Sequence, residues 1–185
     1  MLALMLGLML AGCPAPTPNV EPGAPYAGPY AAEFEGWSKA SAPAGGYWIK
    51  IPGVPKDDVS TTETKVGVAT THVFSAKSEA MPAAFLMAIT TDYPPGFLVD
   101  SSAAMDAVRE GLLLGGGGAT LIKEKKVIAS GKAARQYYIK GQGTYGMVAR
   151  TFVVGDRVYT LSVSSEDPEL PNWAEGWLDS FALFE

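Results

Sequence analysis

Hydrophobic and polar residues alternate with a period of two along much of this chain, and that pattern predicts strands. The segment YWIKI places Tyr47, Ile49 and Ile51 on one side and ends at a Pro-Gly pair. Other segments rich in β-branched and aromatic residues predict strands at residues 66–77, 83–93, 120–129, 133–141 and 145–154. The chain is therefore expected to fold around a sheet.

A tight hairpin is predicted near the end of the chain. The dipeptide GD at residues 155–156 favours a two-residue turn, after which residues 157–165 return along the preceding strand. Such a turn fixes four cross-strand pairs: Val154 with Arg157, Phe152 with Tyr159, Arg150 with Leu161, and Val148 with Val163. Arg150 then lies among apolar neighbours. This favours an arginine lying along the sheet and paired with a carboxylate over an arginine that anchors a ligand.

A helix is predicted over residues 101–114, with Asp100 or Ser101 as its N-cap. Three apolar side chains there share one face: Met105, Val108 and Leu112. The helix ends in four consecutive glycines at residues 115–118. A phosphate-binding loop would need Gly-Lys-Ser/Thr at the start of a helix, so this run is interpreted as a helix end and not as a nucleotide site.

A second helix is predicted in the segment NWAEGWLDSFAL. Asn172 and Glu175 have the spacing of a capping-box variant. Trp173, Trp177 and Phe181 recur four residues apart, which gives the helix an aromatic stripe. A stripe with this spacing is typical of a helix that packs on a sheet, so these rings are predicted to lie in the core.

The first 11 residues are wholly apolar, yet they are shorter than the roughly 20 residues that a membrane span needs. They fit the apolar region of a signal peptide. The tetrapeptide LAGC at residues 10–13 resembles a bacterial lipobox, which implies cleavage before Cys13 and diacylglycerylation of its thiol. A signal normally begins with positive charge, and Lys39 is the first basic residue, so we expect the true start to lie upstream.

Six of the 14 prolines follow at once, in residues 14–36, with no apolar period. This composition is typical of an extended linker. We therefore divide the chain into a lipoprotein signal peptide (1–12), a lipid-anchored tether rich in Pro, Ala and Gly (13–45) and a globular domain (46–185). Pro14 stands where an aspartate retains some lipoproteins at the inner membrane, so the resemblance implies a bacterial envelope protein on the periplasmic face of the outer membrane.

The composition excludes several classes of function. With 14 basic and 19 acidic residues the net charge is −5, which disfavours a nucleic-acid partner. Lys123, Lys125 and Lys126 form a basic cluster. We interpret it as a solvated strand or turn in preference to a patch that binds an anionic ligand. One cysteine and one histidine exclude an intrachain disulfide and a Cys/His zinc site, and His72 has no triad context. No catalytic, cofactor-binding or metal-binding residue is predicted.

Four motifs in this order resemble the PsbP/Mog1-like superfamily, which includes small bacterial envelope lipoproteins: IPGVPK, MDAVRE, RTFVVGDRVYTLSV and SFAL. The resemblance covers about Gly46 to Phe184. It implies an α+β fold, an α/β/α sandwich on a mainly antiparallel sheet. It also implies a non-enzymatic protein, because members of the superfamily are mostly accessory subunits and partner-binding modules without a shared catalytic constellation.

We therefore expect a non-catalytic envelope protein, attached to the membrane through acylated Cys13, that binds another envelope protein or a cell-wall component. Tyr93 and Phe97 in the turn YPPGF are candidates for the interaction surface, with Arg150 as a further candidate. Two alternatives stay open. One is a carrier of a small hydrophobic ligand, and the other is an envelope hydrolase that would use acids found near turns: Asp57, Asp58, Asp100, Glu166 and Asp167.

Overall fold

The computed structural model describes residues 19–21, 34–65, 67–78, 84–115, 118–141, 146–166 and 169–184. The strands within these ranges are β1 Asn19–Glu21, β2 Ser38–Ala42, β3 Tyr47–Ile51, β4 Lys56–Thr64, β5 Gly67–Ser78, β6 Ala84–Asp92, β7 Thr120–Ala129, β8 Lys132–Lys140, β9 Gly146–Val154, β10 Arg157–Ser165 and β11 Ala182–Leu183. The helices are α1 Ser101–Gly115 and α2 Ala174–Asp179.

The strands form two antiparallel sheets. The larger sheet has the order β4-β5-β6-β10-β9-β8-β7, so its strands are largely successive hairpins joined at a central β6–β10 pair. The smaller sheet has the order β1-β2-β3-β11 and brings the last strand against β3. The expectation of a mainly antiparallel sheet is confirmed.

The two faces of the larger sheet are covered differently. On one face, α1 packs over β8 and β9, where Leu112 and Leu113 contact a cluster that includes Tyr137 and Met147. On the other face lie the smaller sheet and α2. The α/β/α sandwich implied by the resemblance is not confirmed, because α2 has only six residues and shares its layer with strands.

An aromatic core joins the two sheets. Phe152 and Tyr159 stack with ring centroids 4.9 Å apart, and Phe181 packs on Tyr47 of the smaller sheet at 4.9 Å. The Trp177 Nε1 donates to a backbone carbonyl of β3 at 2.6 Å, so this buried indole has a partner for its polar atom. Trp173, Trp177 and Phe181 are all buried, which confirms that these rings lie in the core. The predicted helical stripe is not formed, because only Trp177 lies within α2, which ends at Asp179.

Arg150 is buried beneath α2. Its guanidinium donates to Gln136 Oε1 at 2.7 and 3.0 Å and to the Leu178 carbonyl at 3.1 Å, and it lies 2.8 Å from an Asp179 carboxylate oxygen. The predicted pairing with a carboxylate is confirmed. Arg150 is 5% exposed, so it ties the short helix to the sheet and does not belong to a surface.

The predicted hairpin and first helix agree with the structure. All four cross-strand pairs expected from the GD turn are present in the β9–β10 register. Asp100 Oδ1 accepts from the backbone N–H groups of Ser102 and Ala103, so it is the N-cap of α1. Met105 is the buried residue on the apolar face of that helix.

The folded structure begins before Gly46, contrary to the boundary drawn from composition. Strand β2 lies within the range assigned to the tether, and it pairs with β3 along its whole length. Ala40 and Phe34 are buried in the main core. The small side chains of β2 allow it to pack close to the core. Small residues next to prolines are also typical of a linker, so composition alone does not distinguish this strand from a tether.

The predicted capping box is absent. Helix α2 begins at Ala174 after Trp173, and no side chain caps its N-terminus. The Glu175 carboxylate instead accepts a hydrogen bond from the Tyr138 hydroxyl at 2.7 Å. Burial acts to raise the pKa of Glu175, but this hydrogen bond and nearby Lys125 outweigh it, and the pKa is lowered.

Among the described residues, neither helix combines the length and the apolar character that crossing a bilayer requires. The segment 1–12, predicted to be a signal peptide, lies outside the described residues.

Truncating the aromatic core should destabilise the whole domain. Phe152→Ala is expected to cost about 3–5 kcal/mol of unfolding free energy, because it removes a fully buried ring between the sheets. Phe85→Ala is the matched control, with a smaller loss expected because that ring is 42% exposed. Urea denaturation measures both. Equal losses would show that the aromatic core does not hold the sheets together.

Candidate interaction surface

The loop between β6 and α1 is held in place by the turn between β9 and β10. The Tyr93 N–H donates to the Asp156 carbonyl at 2.9 Å, and the Gly96 N–H donates to Asp156 Oδ1 at 3.0 Å. A further bond inside the loop runs from the Phe97 N–H to the Pro94 carbonyl at 3.1 Å. One aspartate therefore fixes two points of the loop, which limits its conformational freedom.

This loop presents a stacked aromatic pair. The rings of Tyr93 and Phe97 are parallel within 2°, with centroids 4.9 Å apart. Phe97 is 40% exposed, whereas Tyr93 lies half-buried behind it, and burial raises the pKa of the Tyr93 phenol. Val99 follows and is the most exposed large apolar residue among those described. We refer to Tyr93, Phe97 and Val99 as the loop surface.

The end of the sheet beneath the loop surface is cross-linked by polar groups. Arg157 forms a two-pronged ion pair with Asp92, with Nη2 2.8 Å from Oδ2. The same guanidinium donates to the Gly45 carbonyl at 2.9 Å, and the Tyr159 hydroxyl donates to that carbonyl at 3.0 Å. The turn between β2 and β3 is thereby fixed to the end of the central β6–β10 pair of the larger sheet.

The backbone at this turn approaches aromatic side chains so closely that only glycine fits. A Cβ on Gly45 would lie 2.3 Å from Tyr47 Cε1, far inside van der Waals contact. Because the turn cannot move away without breaking its bonds to Arg157 and Tyr159, the smaller sheet meets the larger one in a fixed position. The loop surface therefore rests on a rigid support.

The structure brings two of the three predicted surface residues together. Tyr93 and Phe97 form one stacked pair of which the Phe97 ring is exposed, whereas Arg150 is buried in the core on β9. Cys13, the predicted lipidation site, lies outside the described residues. Sequence reasoning missed Asp156 as the residue that anchors the loop. Its place in the hairpin signal explains the turn, but nothing in the sequence links it to a loop 60 residues earlier.

The residues considered for hydrolysis are dispersed. Asp100 caps α1, and Asp58 pairs with Lys56 at 2.7 Å on the exposed strand β4. Burial raises the pKa of Asp57, an effect that His72 partly offsets. Glu166 follows β10, and Asp167 lies outside the described residues. In the part of the chain that the structure describes, no group of three or more His, Cys, Asp or Glu side chains is placed to hold a metal ion.

Two lysines of the basic cluster, Lys123 and Lys125, lie on the same side of β7 next to Tyr138. The Lys125 ammonium donates to the Tyr138 hydroxyl at 2.6 Å and lies 3.8 Å from the Glu175 carboxylate. Lys123 lies 6.0 Å from the centre of the Tyr138 ring on the same side. These contacts give two of the three lysines structural partners.

Comparison with known proteins gives a fold and no family. No family model matches the chain, and no curated protein matches it. Among solved structures, the chain is similar to the solution structure of cyanobacterial PsbP (CyanoP) from Synechocystis sp. PCC 6803, with a TM-score of 0.51 and 15% sequence identity. The match covers 80% of this chain and 93% of CyanoP. The chain therefore has a PsbP-like fold.

A weaker match is to the crystal structure of PA94, a protein of unknown function from Pseudomonas aeruginosa. Its TM-score is 0.37 with 11% identity, over 76% of this chain and 90% of that chain. At this level of similarity the match carries no argument about fold or function.

Removing the loop anchor should free the loop without unfolding the protein. In Asp156→Ala the Gly96 N–H loses its acceptor, so amide hydrogen exchange at Gly96 should accelerate while exchange in β9 and β10 stays slow. Asp156→Asn keeps an acceptor oxygen and should retain most of the protection. Equal Gly96 exchange in the alanine variant and the native protein would show that Asp156 does not hold the loop.

Proposed function

We propose that this protein is a non-catalytic, lipid-anchored protein of the bacterial envelope that binds a partner protein through its loop surface. The observation that carries the proposal is the Tyr93–Phe97 stack, which is exposed and rigidly held. Binding energy at protein interfaces concentrates in a few aromatic and arginine anchors. An aromatic anchor that is ordered before binding loses little conformational entropy when a partner covers it.

Phe97 is suited to this role because it contributes little to the core. Its ring is 40% exposed and stacks on Tyr93. A side chain of this kind leaves a large apolar area in water in the free protein, and a partner would bury that area. Tyr93 behind it supplies a flat apolar support and fixes the ring plane.

The membrane anchor in this proposal rests on the sequence. Residues 10–13 resemble a lipobox. Each CH₂ group of an acyl chain contributes about 0.8 kcal/mol of membrane-binding free energy, so two or more chains on Cys13 would give stable attachment. Pro14 in place of aspartate favours the outer membrane. The order of the four sequence motifs, together with the PsbP-like fold, supports assignment of the domain to the PsbP/Mog1-like superfamily.

Lipidation is tested by metabolic labelling with radioactive palmitate in a bacterial host that processes lipoproteins. The native chain should incorporate label and sediment with membranes, and Cys13→Ser should do neither, because Cys13 is the only thiol in the chain. Absence of label in the native chain, or label retained in Cys13→Ser, would contradict lipidation at Cys13. Neither result would bear on partner binding by the loop surface.

Partner binding is tested by chemical crosslinking and affinity capture from native membranes with the lipidated protein as bait. The native chain and Phe85→Ser should capture the same envelope protein, and Phe97→Ser should capture much less of it. Phe85 is the matched control because it is 42% exposed but lies on β6, away from the loop.

The fold of Phe97→Ser should remain intact, with a stability loss of about 0.5–1.5 kcal/mol from the broken ring stack. A much larger loss by thermal unfolding would identify Phe97 as a core residue. Undiminished capture by Phe97→Ser would contradict the proposed surface. Capture of cell-wall glycan without protein would replace the partner protein with a wall component.

A further inference from the structure

A groove lies between the first half of α1 and the hairpin of β7 and β8. Its volume is about 400 Å³, within the range of small-molecule sites. The residues that line it come from three elements: Ser102 and Met105 from α1, Lys126, Val127 and Ile128 from β7, and Ala133, Ala134 and Arg135 from β8. Neither the fold nor the loop surface assigns a role to it.

The body of the groove is apolar. Met105 forms the helix side, and Ile128 with Ala133 forms the sheet side, where the two strands pair these residues directly. Ile128 is 70% exposed although it is a large aliphatic residue. The small side chain of Ala133 leaves the space that a larger residue would fill. An apolar chain lying there would remove Ile128 from water.

The cations around the groove are not equivalent. Arg135 is balanced by two carboxylates, because its Nη1 lies 2.6 Å from Asp106 and 3.2 Å from Glu124. Lys126, paired across the strands with Arg135, forms no ion pair within the described ranges of the chain. No acidic residue is part of the lining, so the groove carries an uncompensated positive charge at Lys126.

We propose that this groove binds the hydrocarbon chain of a fatty acid, with the carboxylate beside Lys126. An apolar body with one cationic end matches a single acyl chain with one anionic end. This site is independent of the proposed partner binding, because no residue of the loop surface lines it.

The probe is cis-parinaric acid, a fluorescent fatty acid, titrated into the purified full chain. The native protein should give saturable binding. Ile128→Asp places an anion in the groove and should weaken binding at least about tenfold. Ile122→Asp is the matched control, since Ile122 lies on the same strand and is 62% exposed but does not line the groove. It should bind as the native chain does.

The charge is tested separately. Lys126→Gln should weaken binding of the acid by up to about fivefold, as expected for a solvent-exposed ion pair, and should not change binding of its neutral methyl ester. Lys123→Gln is the control, because Lys123 lies on β7 outside the groove and should leave both affinities unchanged.

Several results would overturn the proposal. One is the absence of saturable binding of the probe. Another is equal weakening of probe binding by Ile128→Asp and Ile122→Asp. That result would place the probe outside the groove, for example on the apolar residues 1–11. If Lys126→Gln weakened binding of the acid and of its methyl ester equally, a contact between Lys126 and the carboxylate would be excluded. Binding of lysophosphatidylglycerol micelles without binding of the free acid would replace the fatty acid by a phospholipid.

Discussion

The contact between the two sheets through Tyr47, Phe152, Tyr159 and Phe181 is the constraint on which the rest of the structure depends. Tyr159 contributes to this contact in two ways: its ring stacks on Phe152 in the core, and its hydroxyl donates a hydrogen bond to the Gly45 carbonyl. The hydrophobic contact and the hydrogen bond fix the same two sheets relative to each other. The end of the larger sheet is thereby rigid, and the loop surface is built on that end.

The strands of the larger sheet were largely predictable because β-branched and aromatic residues are concentrated in them. Strand β6 also buries alternate side chains, and that requirement leaves a period of two in the sequence. Strand β4 carries no such signal, since it is an edge strand with most side chains in water, and it was not predicted. Strand β2 was assigned to the tether because its small residues adjoin a Pro-rich segment. Helix α2 is fixed by Arg150 and Trp177, and such contacts depend on distant residues that local spacing does not reveal.

The candidate surface was predictable in part. The turn YPPGF indicated an aromatic loop, and the structure shows that its two rings stack. The hairpin register correctly indicated that Arg150 lies among apolar residues, which is also the reason that it does not reach a surface. The groove beneath α1 could not be foreseen, because it arises where α1 crosses Ala133 and Ile128, and the crossing is set by packing on β8 and β9.

The central claim is that the loop surface, and no other exposed aromatic of the larger sheet, meets a partner protein. The most direct test is photocrosslinking in living cells, with benzoylphenylalanine placed at Phe97 or at Phe85 in the lipidated chain. These rings are almost equally exposed, at 40% and 42%, so exposure alone would give equal yields. We predict one discrete protein adduct from position 97 and none from position 85. Adducts of the same protein from both positions, or from position 85 alone, would contradict the account.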